Sequence, residues 1–489
     1  MTSTTTRPST PTAAASSEVP EGAARLIGLL VAAAFVVILN ETIMSVALPE
    51  LMEEFSVGAA TAQWLTTAFM LTMAVVIPVT GYLLTRLSLR TVFVAAMSFF
   101  SLGTLAAALA VSFPLLVGGR VVQAVGTALM MPLLFTTVLN VVPASRRGRT
   151  MGVISIVIAV APAVGPTVGG LVLDVLTWRW MFWLVLPVAL TALIVGAVLV
   201  RNVTTPRRVP LDVLSVVLSA VGFAATVYGL SSIGSAAEGT AAVQPWIPLV
   251  VGLSALTLFV LRQTSLRDGA LMDVRAFTTP AFSLAVALAA VTMMALFGTL
   301  ILLPIYLQNV LGRSTLETGL ALLPGGLVMG LLGYVVGRTF DRTGPRPLVL
   351  PGAAVASAAL WGMTTTFGPQ TSLTTVVAWH VVLNTGLALM FSPLMTNALG
   401  SLPRRLYPHG SAIVATMQQV AGAAGTALFI TVMTTAQVAG AQAGTDPVDA
   451  LMKGVHAALL AGALVSLAAV AGSLFVRRAE PPAEPVDAA

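Results

Sequence analysis

The sequence predicts an all-α integral membrane protein of 14 transmembrane helices, and three observations predict it. Hydrophobic residues make up 57% of the 489 residues and charged ones 9%, too few charges to cover a soluble chain of this length. Apolar runs of about 18 residues or more recur along nearly the whole chain, each long enough to cross about 30 Å of hydrocarbon. The cations are concentrated in every second loop. Lipid offers a bare backbone no hydrogen bonds, so the runs must be helices. The short alternating strands of a membrane barrel do not occur.

In order, the chain opens on a Ser/Thr/Pro/Ala-rich segment, 1–24. It lacks the basic stretch and short apolar core of a signal peptide and is expected to be a disordered cytoplasmic tail. An N-terminal half over 25–201 holds spans at 26–48, 62–84, 91–111, 114–140, 150–174 and 178–200. Two inserted spans, 211–234 and 245–262, lie with their linkers in 202–275. A C-terminal half over 276–478 holds 281–306, 316–340, 348–367, 373–398, 410–434 and 452–476, and 479–489 is a second tail.

An even number of crossings puts both tails on one side. Of the 24 Lys and Arg residues only Arg179, Arg313 and Lys453 fall on the other side, and Arg120 falls inside a span. The positive-inside rule therefore makes both termini cytoplasmic. The net charge of +6 is a topology signal rather than a nucleic-acid signal. The absence of cysteine removes disulfides, thiol catalysis and cysteine-bound zinc. His380, His409 and His456 give no metal spacing. A nucleotide-binding Gly-rich loop is also missing, so neither an enzyme nor an ATP-driven pump is expected, and no cofactor or metal.

The two halves resemble each other. The loop after the second span carries Gly81, Arg86 and Arg90, and the loop after the tenth carries Gly337, Arg342 and Arg346 at one common offset. Span four reads Arg120-Val-Val-Gln123-Ala-Val-Gly126-Thr-Ala-Leu-Met130 and span twelve reads His380-Val-Val-Leu-Asn384-Thr-Gly386-Leu-Ala-Leu-Met390. Matched segments at nearly one spacing indicate duplicated helical halves, an arrangement that places a transport site at their interface.

These residues resemble the major facilitator superfamily, and within it the fourteen-helix drug:proton antiporter branch. The resemblance implies the major facilitator fold, two six-helix halves plus two extra helices. Four segments carry it. Gly337, Asp341, Arg342, Gly344 and Arg346 are similar to the family's loop motif, which latches the cytoplasmic gate. The N-terminal copy keeps Arg86 and Arg90 but has Thr85 for the Asp and Ser88 for the second Gly. Arg120, Gln123 and Gly126 are similar to a motif of span four. Gly165, Pro166, Gly169 and Gly170 in span five are similar to the antiporter motif of exporting branches. Leu39-Asn40-Glu41-Thr42-Ile43 is similar to the branch's span-one motif, with Asn40 where an Asp is usual and the carboxylate one residue on, at Glu41. Leu39 to Thr42, and Thr61 to Trp64, most resemble lincomycin-resistance-type exporters.

Glu41 is the one carboxylate clearly inside a span. It lies ~11 Å below the outer end of span one, and Arg120 ~9 Å below the outer end of span four. Charges at that depth are functional by default, so Glu41 and Arg120 are the expected proton-coupling pair. Asn40, Gln63, Trp64, Gln123, His380, Asn384, Gln418 and Gln419 are the candidate lining of a substrate cavity. The expected function is efflux of drugs or other small hydrophobic or cationic molecules in exchange for protons, by a monomer in the plasma membrane. Export of a lipid, siderophore or amino acid is the alternative, and a non-transporting receptor or enzyme the remote one.

Overall fold

In a computed structural model, residues 22–62, 64–200, 202, 206–207, 210–237 and 243–479 are described. Gln63, residues 1–21 of the tail expected at 1–24 and residues 480–489 of that expected at 479–489 lie outside them, and the first helix already begins at Ala23, inside the first expected tail. Fourteen long helices account for most of the described chain. They are α1 (Ala23–Glu54), α2 (Trp64–Arg86), α3 (Leu89–Ala108), α4 (Phe113–Val141), α5 (Arg147–Val175), α6 (Arg179–Leu199), α7 (Val213–Ala237), α8 (Trp246–Leu266), α9 (Pro280–Ile305), α10 (Thr315–Thr343), α11 (Arg346–Thr366), α12 (Leu373–Gly400), α13 (Tyr407–Gln442) and α14 (Pro447–Ser473). No strand occurs among the described residues.

The helix ends follow local chemistry. The hydroxyls of Ser88, Ser314 and Ser372 accept from backbone N–H groups at the starts of α3, α10 and α12, and Asp446 does so for α14. Each satisfies a donor that the first turn leaves open. Ser314 and Glu317 form a reciprocal capping box. Gly344, at φ 77°, ends α10 in a conformation that residues with a Cβ avoid.

Thirteen of the helices are long and apolar enough to cross a bilayer singly, and the chain around α5 is bent by 42° between Ala144–Pro162 and Thr167–Val175, which taken as one broken span make fourteen. Pro162 and Pro166 flank the bend and each lacks the N–H that a straight helix needs. α1 and α13 run 32 and 36 residues, past the expected ends at 48 and 434, because a helix need not stop where lipid stops. Beyond the membrane Glu54 of α1 binds Arg179 at 2.7 Å and accepts from the Trp178 indole. Burial pushes the Glu54 carboxyl up, but these hydrogen bonds outweigh it and hold it below the usual carboxylate range. The first helix is thereby tied to the start of α6 on the face away from the termini.

The repeat is visible in the packing. A Cβ on Gly126 would stand 2.3 Å from the Ala96 carbonyl oxygen of α3, and one on its counterpart Gly386 would stand 2.5 Å from the Ala356 nitrogen of α11. The same glycine lets each fourth helix of a half lie against the third. The inserted helices α7 and α8 pack on one another, and α7 also rests on α2 and α13. Much of α8 faces outward with exposed Val250, Leu253, Leu258 and Leu261, as a lipid-facing helix must.

Candidate transport site between the two halves

The sequence places polar residues at the middle of α1, and the helix sorts them by face. Successive residues differ by about 100°, so Asn40 and Glu41 point to different neighbours. Asn40 is fully buried and its side-chain oxygen accepts from Arg120 at 3.1 Å. Arg120 also donates to Gln123 at 2.6 Å, Gln123 donates to Thr104 at 2.8 Å, and Thr104 donates to the Phe100 carbonyl at 2.6 Å. The guanidinium lies 4.1 Å from the centre of the Phe69 ring, a cation–π contact that partly replaces lost water. Arg120 is 1% exposed, and its Nε and the Asn40 amide nitrogen have no hydrogen-bond partner. A buried cation thus stands on neutral partners.

Glu41 points instead into a cavity of about 150 Å3 between the halves. The wall is built by α1, α2, α4 and α5 from one half and by α9 and α13 from the other. Glu41 is its one carboxylate, joined by Thr42, Thr127, Gln418 and Gln419. The rest is apolar, with Met73, Met130, Met131, Met293 and Phe297 prominent. Among the described residues nothing hydrogen-bonds the Glu41 carboxylate or forms an ion pair with it. Arg120 and Glu41 interact electrostatically without direct contact. The direct pairing that matched depths left open is made by Asn40 instead, because position 40 faces α4.

The structure therefore brings Glu41, Gln418 and Gln419 together in the cavity, with Asn40, Arg120 and Gln123 as a buried cluster behind it. It does not bring Trp64, His380 or Asn384 there. His380 and Asn384 face α10, where Gly325 makes room; a Cβ on Gly325 would stand 2.3 Å from the His380 ring. Asn384 donates to the His380 carbonyl at 2.9 Å, so the two are occupied within their own half. Trp64 is the first residue of α2, on the face opposite the termini, and is 46% exposed.

The expected antiporter segment packs on α1 beside the site. A Cβ on Gly165 would stand 2.1 Å from the Thr42 hydroxyl and one on Gly169 would stand 3.2 Å from the Ile43 carbonyl. Gly170 has open space around it. Pro162, at the bend of α5, lines the cavity itself.

On the termini face, Asp341 at the end of α10 accepts from the backbone N–H groups of Gly148 at 2.7 Å and Arg149 at 2.9 Å. A carboxylate on the open N–H groups of α5 is favoured by hydrogen bonding and by the helix dipole. Arg342 and Arg346 are exposed beside it. In the other copy of the motif Arg86 donates to Tyr82, Arg90 is exposed, and the Thr85 hydroxyl donates back to Gly81 at 2.9 Å. Two contacts across the halves have no marker in the sequence motifs. Arg147 of α5 donates to the Tyr407 hydroxyl of α13 at 3.2 Å, and Thr136 of α4 donates to Ser411 of α13 at 3.2 Å. The pair of arginines before Gly148 was the available signal for the first.

Comparison with known proteins agrees with this architecture. Residues 30–426 match the family model described as Major Facilitator Superfamily. The chain is 42% identical over 460 residues to the lincomycin resistance protein LmrB of Listeria monocytogenes, covering 93% of this chain and 97% of that one. It is 38% identical to the Bacillus subtilis protein of the same name, covering 93% and 95%. It is 32% identical to a multidrug resistance protein B homolog of Mycobacterium tuberculosis, covering 84% and 76%. Among solved structures it resembles the human organic anion transporter MFSD10 (TETRAN) with a TM-score of 0.67 at 14% identity, covering 92% and 99%. The proton:xylose symporter XylE follows at 0.64 and 15%, covering 95% and 98%. At such identities these two speak for the fold alone. A cavity between two repeated halves of six helices, this family match and these full-length relatives make the chain a multi-pass, non-enzymatic transporter of the major facilitator superfamily.

Proposed function

We propose that the chain is a proton-coupled efflux antiporter of the plasma membrane, with both termini cytoplasmic, that exchanges external protons for small hydrophobic or cationic molecules. One observation carries the reading: Glu41 is the single carboxylate in the wall of the cavity between the halves, and no protein group among the described residues neutralises it by direct contact. An isolated charge in a low-dielectric site must be balanced by a proton or a counter-cation. Proton and cationic substrate therefore compete for one group, which is the minimal requirement for exchange. Glu41 and Arg120 both belong to the N-terminal half, so rocking of the halves leaves their spacing alone. What changes is which side supplies water and protons to the cavity. The methionine and phenylalanine wall suits varied apolar cargo, since thioethers repack at low cost. Relatives named for lincomycin and multidrug resistance favour drugs as that cargo. The excess of Arg and Lys in the loops of the termini face supports the orientation.

Glu41→Gln tests the mechanism. In proteoliposomes with an imposed pH gradient, the variant is expected to lose gradient-driven transport of a cationic dye while still exchanging dye for dye. Gradient-driven transport at the wild-type rate would refute the role.

A further inference from the structure

A second concavity on the termini face belongs to neither the cavity nor its polar cluster. Arg146 and Arg149 at the start of α5, with Tyr334, Arg338, Asp341 and Arg342 in the last turns of α10, line an open pocket of about 350 Å3. Four guanidiniums surround one carboxylate. That carboxylate is already taken up by two backbone N–H groups of α5. Among the described residues none of the four arginines stands in an ion pair. Arg149 lies over the Tyr334 ring with 5.1 Å between charge and ring centre. Like charges converging on a concavity raise its affinity for anions.

The approach to the pocket says which anion. Leu327, Leu331 and Val335 are exposed along α10 and continue at helical spacing into Arg338 and Arg342, so one stripe runs from apolar to cationic. Arg338 sits five residues before the end of α10, ~7.5 Å inside it along the axis. That is headgroup depth, with acyl-facing surface directly behind.

We infer that the pocket is a binding site for the phosphate headgroup of an anionic phospholipid whose acyl chains lie along Leu327, Leu331 and Val335. Basic recesses between transmembrane helices recognise such headgroups, and guanidinium groups pair with phosphate oxygens bidentately. α5 and α10 come from opposite halves, so one bound headgroup bridges them beside the Asp341 cap and holds this face closed. A soluble phosphate would gain nothing from the apolar stripe, which is why the lipid is the assigned occupant.

The test uses the full chain, without substrate or gradient, so its failure leaves the exchange mechanism of Glu41 untouched. Purified protein is equilibrated with vesicles of phosphatidylglycerol or of phosphatidylcholine. Retained lipid is then counted by native mass spectrometry, and the melting temperature is read for each lipid. The wild type is expected to retain phosphatidylglycerol preferentially and to melt higher with it. Arg146→Gln with Arg338→Gln is expected to weaken phosphatidylglycerol retention roughly twenty-five-fold, taking about fivefold per arginine, with phosphatidylcholine unaffected. Arg146→Lys with Arg338→Lys, which keeps both charges but loses the bidentate pairing, is expected to retain more than the glutamine variant and less than the wild type. Equal retention of the two lipids by the wild type overturns the assignment, as does undiminished phosphatidylglycerol retention by the glutamine variant. Displacement of the lipid by inorganic phosphate alone marks a soluble-anion site and overturns it too.

Discussion

The two halves meet along two seams, α5 against α10 and α2 against α13, and the seams are built differently. In the first, backbones touch. A Cβ on Gly152 would stand 2.1 Å from the Gly333 carbonyl and one on Gly337 would stand 2.0 Å from that of Gly148. Asp341 then closes the end by capping α5. In the second, the helices approach less closely. A Cβ on Gly81 would find Ala412 and His409 no nearer than 3.3 Å. Thr85 stands where the acid would be, and α13 starts without any side-chain cap. This looser seam is the one that α7 covers. The linker preceding the inserted pair is anchored there too: Arg207 donates its backbone N–H to the Thr85 carbonyl at 2.9 Å, and Asn202 accepts from that of Arg90 at 3.3 Å. The lesson is that a duplicated motif need not keep its chemistry in both copies when another element supplies the contact.

The contrast breaks most readily at the glycines. Gly152→Ala forces two backbones apart and is expected to cost about 1–3 kcal/mol, with a marked fall in melting temperature and in transport. Gly81→Ala needs a shift of a few tenths of an ångström in Ala412 and His409 and is expected to cost less than about 1 kcal/mol. Thermal unfolding of both variants in one detergent measures the difference. Equal losses would mean that the seams are equally tight.

Next in size is the acid. Asp341→Asn removes a charge from the start of α5 and is expected to cost about 0.3–2 kcal/mol, opening the termini face more often. Thr85→Asp restores the acid opposite α13 and is expected to gain no more than about 1 kcal/mol. The chain has no cysteine, so one introduced at Ser155, buried where α5 meets Gly333 of α10, reports opening by its rate of thiol labelling. Faster labelling for Asp341→Asn with slower labelling for Thr85→Asp is the expected pair. Labelling unchanged in the first would remove Asp341 from the latch.

Much of this was legible in the sequence, for physical reasons. Apolar runs and a one-sided distribution of arginine are imposed by lipid, so the number and order of helices could be read directly. Glu41 and Arg120 stood out because charges in oil are rare. That positions 40 and 41 face different neighbours followed from helix geometry, but which neighbour each meets did not. His380 shares the repeat position of Arg120, yet symmetry of sequence does not dictate what a ring packs against, and Gly325 decided that. The methionines and Phe297 of the cavity were hidden because an apolar lining uses the same residues as a lipid-facing wall. Arg147 with Tyr407 joins residues 260 apart, a pairing that only the closed tertiary arrangement reveals.

The smallest effect concerns what keeps the inserted pair in place. Arg262 of α8 grips Asp212, just before α7, through two bonds of 2.6 and 2.7 Å, and Gln263 links Ser215 to the backbone of Met272. The hydrogen bond from Arg262, helped by those from Ser215, holds the Asp212 carboxyl well below the usual carboxylate range. A carboxyl with a depressed pKa in the fold contributes stability that is complete above its unfolded pKa, about 3.9, and is lost as pH falls from there through the folded value. The clasp is therefore constant from pH 5 to 8, and any pH dependence of transport in that range must arise elsewhere. The pair is partly exposed, so Asp212→Asn is expected to cost at most about 1 kcal/mol. That cost should be the same at pH 5 and pH 8 by thermal unfolding. If the loss instead differs between those two values, Asp212 titrates far higher than its partners allow, and the inserted pair is held over the looser seam by something other than this ion pair.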